Sequence, residues 1–138
     1  MNTSGRLHDL KIVVVDDDRD TREILRFILQ QQAAEVIAVE SVTEAVNTFQ
    51  TFAPDILLTD IGLPDYNGYA LIALLRAHDE KVGRITPAIA LTAYTCPADE
   101  KAALAAGFQK YMAKPFAPAE IIDAISEVAE AHRQGLIP

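Results

Sequence analysis

Five times along the chain, a short run of apolar and mostly β-branched residues is followed by a stretch with helical periodicity, and this alternation leaves few folds open. Ile12 to Val15 is the first run, short enough to be a strand buried on both faces. Asp20 and Glu23 then read as a capping box, with Ile24, Leu25, Ile28 and Leu29 at helical spacing. Val36 to Val39 is the second strand, and Ser41 with Glu44 is another capping box, carried on by Ala45, Val46 and Phe49. Pro54 ends that helix, and Asp55 to Thr59 is the third strand. After a turn-rich segment from Gly62 to Gly68, Tyr69 to Ala77 predicts a helix and His78 to Thr86 a polar loop. Ala88 to Leu91 is the fourth strand, Pro97 opens a small-residue helix ending near Gly107, and Tyr111 to Ala113 is the fifth strand. Pro118 opens a last helix with Ile121, Ile122, Ile125, Val128 and Ala129 on one face.

The pattern predicts an α/β protein: a flavodoxin-like three-layer (βα)5 sandwich around a parallel five-stranded sheet of order 2-1-3-4-5. The strand order follows from the class of fold rather than from the spacing. A chain of 138 residues suits one domain, assigned to residues 11–130, with residues 1–10 as an N-terminal extension or linker and 131–138 as a tail. Half the residues are apolar, enough for a real core. Twelve basic against twenty acidic residues give a formal charge of −8, which disfavours direct contact with a nucleic-acid backbone. The single cysteine, Cys96, suits a reducing compartment, and no stretch matches a signal peptide or a membrane span, so a cytoplasmic location is expected.

In sheets of this class, ligands bind beyond the carboxyl ends of the strands. The first strand ends in Asp16 and Asp17, the third in Asp60, the fourth in Thr92, and the fifth shortly before Lys114. In the order 2-1-3-4-5 the first and third strands are neighbours, about 4.8 Å apart, so three carboxylates gather with a hydroxyl and an ammonium beyond them. Clustered carboxylates resist ionising unless neutralised, and a hard divalent cation such as Mg²⁺ does so while leaving positions for phosphoryl oxygens. A carboxylate is also a competent nucleophile that forms an acyl phosphate, and Asp60 stands between the metal side and the donor side. Asp18 and Asp20 read as turn or cap residues. Each position alone has an ordinary structural explanation; their joint placement points to a Mg²⁺-assisted aspartyl-phosphate site.

The segments Val13-Val-Val-Asp-Asp17, Pro54-Asp-Ile-Leu-Leu-Thr-Asp60, Leu63-Pro64 with Gly68, Ala90-Leu-Thr-Ala93 and Lys114-Pro-Phe116 resemble the receiver domain of two-component response regulators, over about Lys11 to Val128. The resemblance implies that Asp60 is the phosphoacceptor for a partner's phosphohistidine. It implies Mg²⁺ (or Mn²⁺) held by Asp17, Asp60 and the backbone carbonyl of Gly62, with Asp16 acting through water. Lys114, in a cis bond to Pro115, would contact the phosphoryl group, Thr92 would swing towards it with the Ala93 amide nearby, and Tyr111 would change rotamer in concert. The implied partners are a histidine kinase or a histidine phosphotransfer protein, and a downstream protein or second copy at the face formed by the fourth helix, fifth strand and fifth helix. No direct nucleic-acid or membrane partner is implied. Gly62 stands where many members carry a polar side chain, and Tyr94 is bulky, so self-dephosphorylation is expected to be slow. The segments Ile89 to Thr95, Gly83 to Pro87, Gly107 to Pro115 and Leu7 to Ile12 resemble receivers of hybrid histidine kinases, so a stand-alone regulator and a kinase-attached receiver both remain open.

A haloacid-dehalogenase-type phosphatase would need a second aspartate where Gly62 stands, and a flavodoxin would not place Asp16 to Asp20 at its phosphate loop. A receiver that has lost phosphorylation is disfavoured because the key positions are intact. The chain is therefore expected to be a signalling domain and not an enzyme. His8, His78 and His132 are scattered, and Cys96 lacks an evident basic partner.

Overall fold

The computed structural model describes residues 5–63, 65–93 and 97–135, and within them the alternation becomes ten elements in strict order. These are β1 (Lys11–Val15), α1 (Arg19–Gln31), β2 (Glu35–Val39), α2 (Val42–Phe52), β3 (Ile56–Thr59), α3 (Gly68–Val82), β4 (Ala88–Thr92), α4 (Pro97–Ala106), β5 (Lys110–Ala113) and α5 (Pro118–Arg133). The strands form one parallel sheet in the order β2-β1-β3-β4-β5, the order expected from the class. Of the sequence-predicted features, Pro64, Tyr94 and Cys96 lie outside the described residues.

Burial explains why the strand sequences read as they do. Ile12 to Val15, Ile56 to Leu58 and Ala88 to Leu91 are all essentially inaccessible, as inner strands covered on both faces must be. Successive residues alternate between two cores. Ile12 and Val14 pack with Leu25, Leu29, Ile121 and Ile125 under α1 and α5, whereas Val13 and Val15 pack with Phe49, Leu71, Ile72 and Leu75 under α2 and α3. The edge strand β2 is only partly buried. Leu7, ahead of β1, is fully buried in the α1–α5 core, and its amide donates to the Gln32 carbonyl at 3.1 Å. The domain's packing therefore begins before β1.

Three local readings need correction. The cap of α1 is Asp18, whose carboxylate accepts the Thr21 amide at 3.1 Å; Asp20 lies inside the first turn, where its charge favours the helix dipole. Helix α3 runs on through His78 to Val82, the stretch expected to be loop. Glu80 and Lys81 are good helix formers, and Asp79, a poor one, is buried and serves the interior: it accepts from Arg76 at 2.9 Å, from the Thr86 amide at 2.8 Å and from the Thr86 hydroxyl at 2.8 Å. Arg76 also donates to the carbonyls of Thr86 and Gly107, both at 2.7 Å, tying α3 to the segments before β4 and β5. The true stop is Gly83, in the left-handed region at φ 74°. The Ser41 box is half formed: Ser41 Oγ accepts the Glu44 amide at 3.2 Å, while the Glu44 carboxylate takes the Glu40 amide at 2.9 Å.

Candidate functional site

The parallel register continues one residue past each strand, and that is what assembles the site. The Asp16 amide donates to the Val39 carbonyl at 3.1 Å, the Asp60 amide to the Val15 carbonyl at 2.9 Å, and the Lys114 amide to the Thr92 carbonyl at 2.9 Å. Residues far apart in sequence are thereby placed side by side at the carboxyl edge of the sheet. One carboxylate oxygen from each of Asp16, Asp17 and Asp60 lies within 4.8 Å of the other two. Lys114 Nζ lies 2.7 Å from Asp16 Oδ2 and 3.0 Å from Asp60 Oδ2, bridging the two from the β5 side. Its peptide bond to Pro115 is cis.

The cluster is graded in exposure: Asp16 is buried, Asp60 intermediate and Asp17 open to solvent. Burial pushes the Asp16 carboxyl above its ordinary range even though the hydrogen bonds from Lys114 and the Asp18 amide pull the other way. Burial works against the Lys114 ammonium as well, but its bonds to Asp16 and Asp60 outweigh that and hold its pKa above the usual lysine value. The lysine places an ammonium in a pocket whose other ionisable groups are Asp16, Asp17 and Asp60. An all-oxygen donor set with an open side fits a hard divalent cation.

Gly62 is exposed and its amide donates to Asp60 Oδ1 at 3.2 Å, so the residue expected to contribute a carbonyl is already bound to the predicted phosphoacceptor. Gly68 closes the same loop by donating to the Ile61 carbonyl at 2.7 Å. A Cβ there would meet the Asp60 carbonyl oxygen at 2.8 Å and Ile61 Cα at 2.9 Å, so only glycine fits. Thr92, buried at the end of β4, and the half-buried Tyr111 line a neighbouring cavity of about 260 Å³ with Ile61, Tyr69 and Asp99. Ala93 is exposed beside it and lines a second cavity, of about 470 Å³, which also holds Lys114, Pro115, Phe116 and Ile24.

Three contributors escape the sequence reading. Arg22, one turn into α1, donates to the Asp16 carbonyl at 2.8 Å and lies 3.7 Å from Glu40. Asn67 caps α3 by accepting the Ala70 amide at 2.9 Å. Asp65, in the turn-rich segment, accepts the amides of Val42 at 3.1 Å and Thr43 at 3.0 Å, at the start of α2. Turn composition signals a cap for Asn67 and Asp65, but not the element that receives it.

Known proteins resemble this chain in sequence and fold. The family model of the response regulator receiver domain matches residues 12–126. An uncharacterised 14.6 kDa protein from the sodA1 3′ region of Leptolyngbya boryana is 39% identical over 121 residues, covering 88% of this chain and 91% of that protein. The phosphate regulon transcriptional regulatory protein PhoB of Klebsiella pneumoniae is 34% identical over 118 residues, 86% of this chain, which spans only 51% of PhoB. A CheY-like response regulator receiver domain protein from Methanospirillum hungatei has the same fold at a TM-score of 0.80 and 26% identity, over 91% of this chain and 98% of that one. Nearly the whole described fold, with the acidic edge at its centre, falls inside the matched span, and the chain belongs to the response regulator receiver domain family.

Proposed function

We propose that this domain is the phosphoacceptor of a two-component phosphorelay, with Asp60 receiving a phosphoryl group from a histidine of a kinase or phosphotransfer protein. A carboxylate oxygen of Asp60 forms the new P–O bond as the P–N bond of the phosphohistidine breaks, and the departing imidazole nitrogen keeps the electron pair. The observation that carries the reading is the bridge of Lys114 Nζ to both Asp60 and Asp16, which puts a fixed positive charge beside the expected nucleophile.

Asp16, Asp17, Asp60 and the Gly62 carbonyl would hold Mg²⁺, which when bound neutralises the pocket and orients phosphoryl oxygens. Lys114 holds Asp60 in place beforehand and meets the incoming charge of about −1.5 to −2. Thr92 donates its hydroxyl to the phosphoryl group together with the Ala93 amide, and Tyr111 repacks in the cavity they share, shifting the population of the face formed by α4, β5 and α5. The donor approaches over the groove beside Lys114, which Ile24, Pro115 and Phe116 line, and over α1, where Ile24 and Phe27, three residues apart, are 53% and 65% exposed. That apolar strip suits a helix of the donor. The output partner is a downstream protein or a second copy, the setting is cytoplasmic, and the domain serves alone or within a hybrid kinase.

The test is intact mass after incubation with acetyl phosphate or phosphoramidate, with and without Mg²⁺, on the wild type and Asp60→Asn. The reading expects a Mg²⁺-dependent gain of one phosphoryl group that the Asn variant does not show. No gain by the wild type under any condition would overturn it. With no side chain at Gly62 to orient water, the phosphoprotein is expected to be long-lived, and a lifetime as short as that of fast chemotaxis regulators would refute that part alone.

A further inference from the structure

The loop between β3 and α3 carries Gly62, and at its base it is held by Gly62 to Asp60 Oδ1 and by Gly68 to the Ile61 carbonyl. Its middle is exposed at Asp65, Tyr66 and Asn67; Asn67 joins it to α3 by capping that helix, which leaves its contact with α2 to be made by another residue. Asp65 makes it. Both oxygens of its carboxylate are engaged: Oδ1 accepts from the Val42 amide at 3.1 Å and the Tyr66 amide at 2.9 Å, and Oδ2 from the Thr43 amide at 3.0 Å and the Thr43 hydroxyl at 2.8 Å. Two of these donors are the first amides of α2, groups that a helix cannot satisfy internally and where negative charge is favoured. The third amide of that turn, Glu44, is already met by Ser41 Oγ. Helix α2 thus has two caps, one from its own start and one reaching across from the loop that follows Asp60.

We infer that Asp65 is a positioning residue for the acidic pocket, clamping the Gly62 loop to the amino end of α2 so that the Gly62 backbone stays in register with Asp60. The inference deepens the phosphoacceptor reading and rests on it for the identity of the cation. A carboxylate is needed because every partner is a donor; an amide of the same shape turns one acceptor into a donor facing N–H groups. Ser41 serves as the internal control, since it caps the same turn without touching the loop.

The experiment uses the full chain as wild type, Asp65→Asn, Thr43→Val and Ser41→Ala. Mg²⁺ affinity is read by titration calorimetry, and amide exchange at Gly62 and Gly68 is read by NMR without metal. Asp65→Asn is expected to weaken Mg²⁺ binding about tenfold, the lower end of what outer partners of metal ligands contribute, and to speed Gly62 exchange. Thr43→Val, which deletes one donor to the carboxylate, is expected to do the same in smaller measure and serves if Asp65→Asn does not fold. Ser41→Ala is expected to lower the melting temperature while leaving both site readouts unchanged. Wild-type affinity and exchange in Asp65→Asn, or equal losses in Ser41→Ala, would overturn the clamp. A wild type that binds no Mg²⁺ would overturn the phosphoacceptor reading, and the metal-free exchange would then decide the clamp by itself.

Discussion

Lys114 and Asp60 are 54 positions apart in sequence, yet the ammonium of one lies 3.0 Å from a carboxylate oxygen of the other. The contact exists because β3 and β5 flank β4 in one parallel sheet, so both chains leave it at the same carboxyl edge; β3 ends level with Tyr111, two residues short of the end of β5, and the long lysine side chain spans the difference. It spends the fold's long-range order on a charge pair at the surface of the sheet edge, with the Asp16 side chain, 2% exposed, as its buried third member.

Removing the cation should therefore cost stability as well as chemistry. Lys114→Met leaves Asp16 and Asp60 facing each other without compensation. The expected loss is about 2–3 kcal/mol, below the ~3–5 kcal/mol for orphaning one partner of a fully buried pair, because the lysine retains some contact with water. Urea unfolding in the presence of EDTA measures it, and an unshifted midpoint would mean that the bridge contributes nothing to the metal-free protein.

Arg76 and Asp79 make a second prediction far from the acidic edge. Arg76→Ala withdraws a donor from buried Asp79 and from the carbonyls of Thr86 and Gly107 at once. A loss of about 2–3 kcal/mol is expected, lowering the melting temperature by about 7–10 °C for a chain of this size. Calorimetry decides, and a change within a degree would show that the network is replaced by water without penalty.

Two glycines separate crowding from backbone strain. Gly68→Ala forces a methyl into the Asp60 carbonyl and should cost about 2 kcal/mol or more. Gly83→Ala meets nothing within 4 Å and should cost only the left-handed conformation, about 1 kcal/mol. Parallel denaturation curves compare them; a Gly83 variant hit as hard as Gly68 would contradict the assignment of causes.

Acid titration tests the Asp65 contacts independently of metal. Burial disfavours its charged form, but the hydrogen bonds from Thr43, Val42 and Tyr66 prevail and hold its carboxyl well below the usual carboxylate range. A folded pKa below the unfolded one means a contribution that is complete above the unfolded value of ~3.9 and fades as pH falls towards the folded one. The gap in melting temperature between wild type and Asp65→Asn should thus be constant from neutral pH to about pH 5 and close progressively below about pH 4. A gap that closes already near neutral pH would exclude this carboxylate as its source.

Much of this was legible in the amino-acid order for a definite reason. Inner strands of a parallel sheet have to be apolar throughout, so Ile12 to Val15, Ile56 to Leu58 and Ala88 to Leu91 announce themselves, and the acidic residues that break those runs mark the edge where ligands bind. Asp16, Asp17, Asp60 and Lys114 are accordingly found from pattern and brought together in space. What stayed hidden depends on partners remote in sequence. Asp79 looks like a solvated helix-end residue until Thr86 and Arg76 enclose it, and Asp65 looks like an ordinary turn residue until α2 presents its free amides. Polarity gave the wrong end for α3 for the same reason: a buried acid and an exposed one are spelled alike.

The alternation of β1 between two cores has a consequence for how this chain can change. Ile12 and Val14 face one layer and Val13 and Val15 the other, and the next residue in line is Asp16. One inserted or deleted residue in that strand would turn both sets of side chains to the wrong layer and, in the same stroke, carry Asp16 and Asp17 away from Asp60. Errors in the code for the packing and errors in the code for the chemistry are therefore not separable here, and a β1 that still folds is a β1 that still delivers its carboxylates.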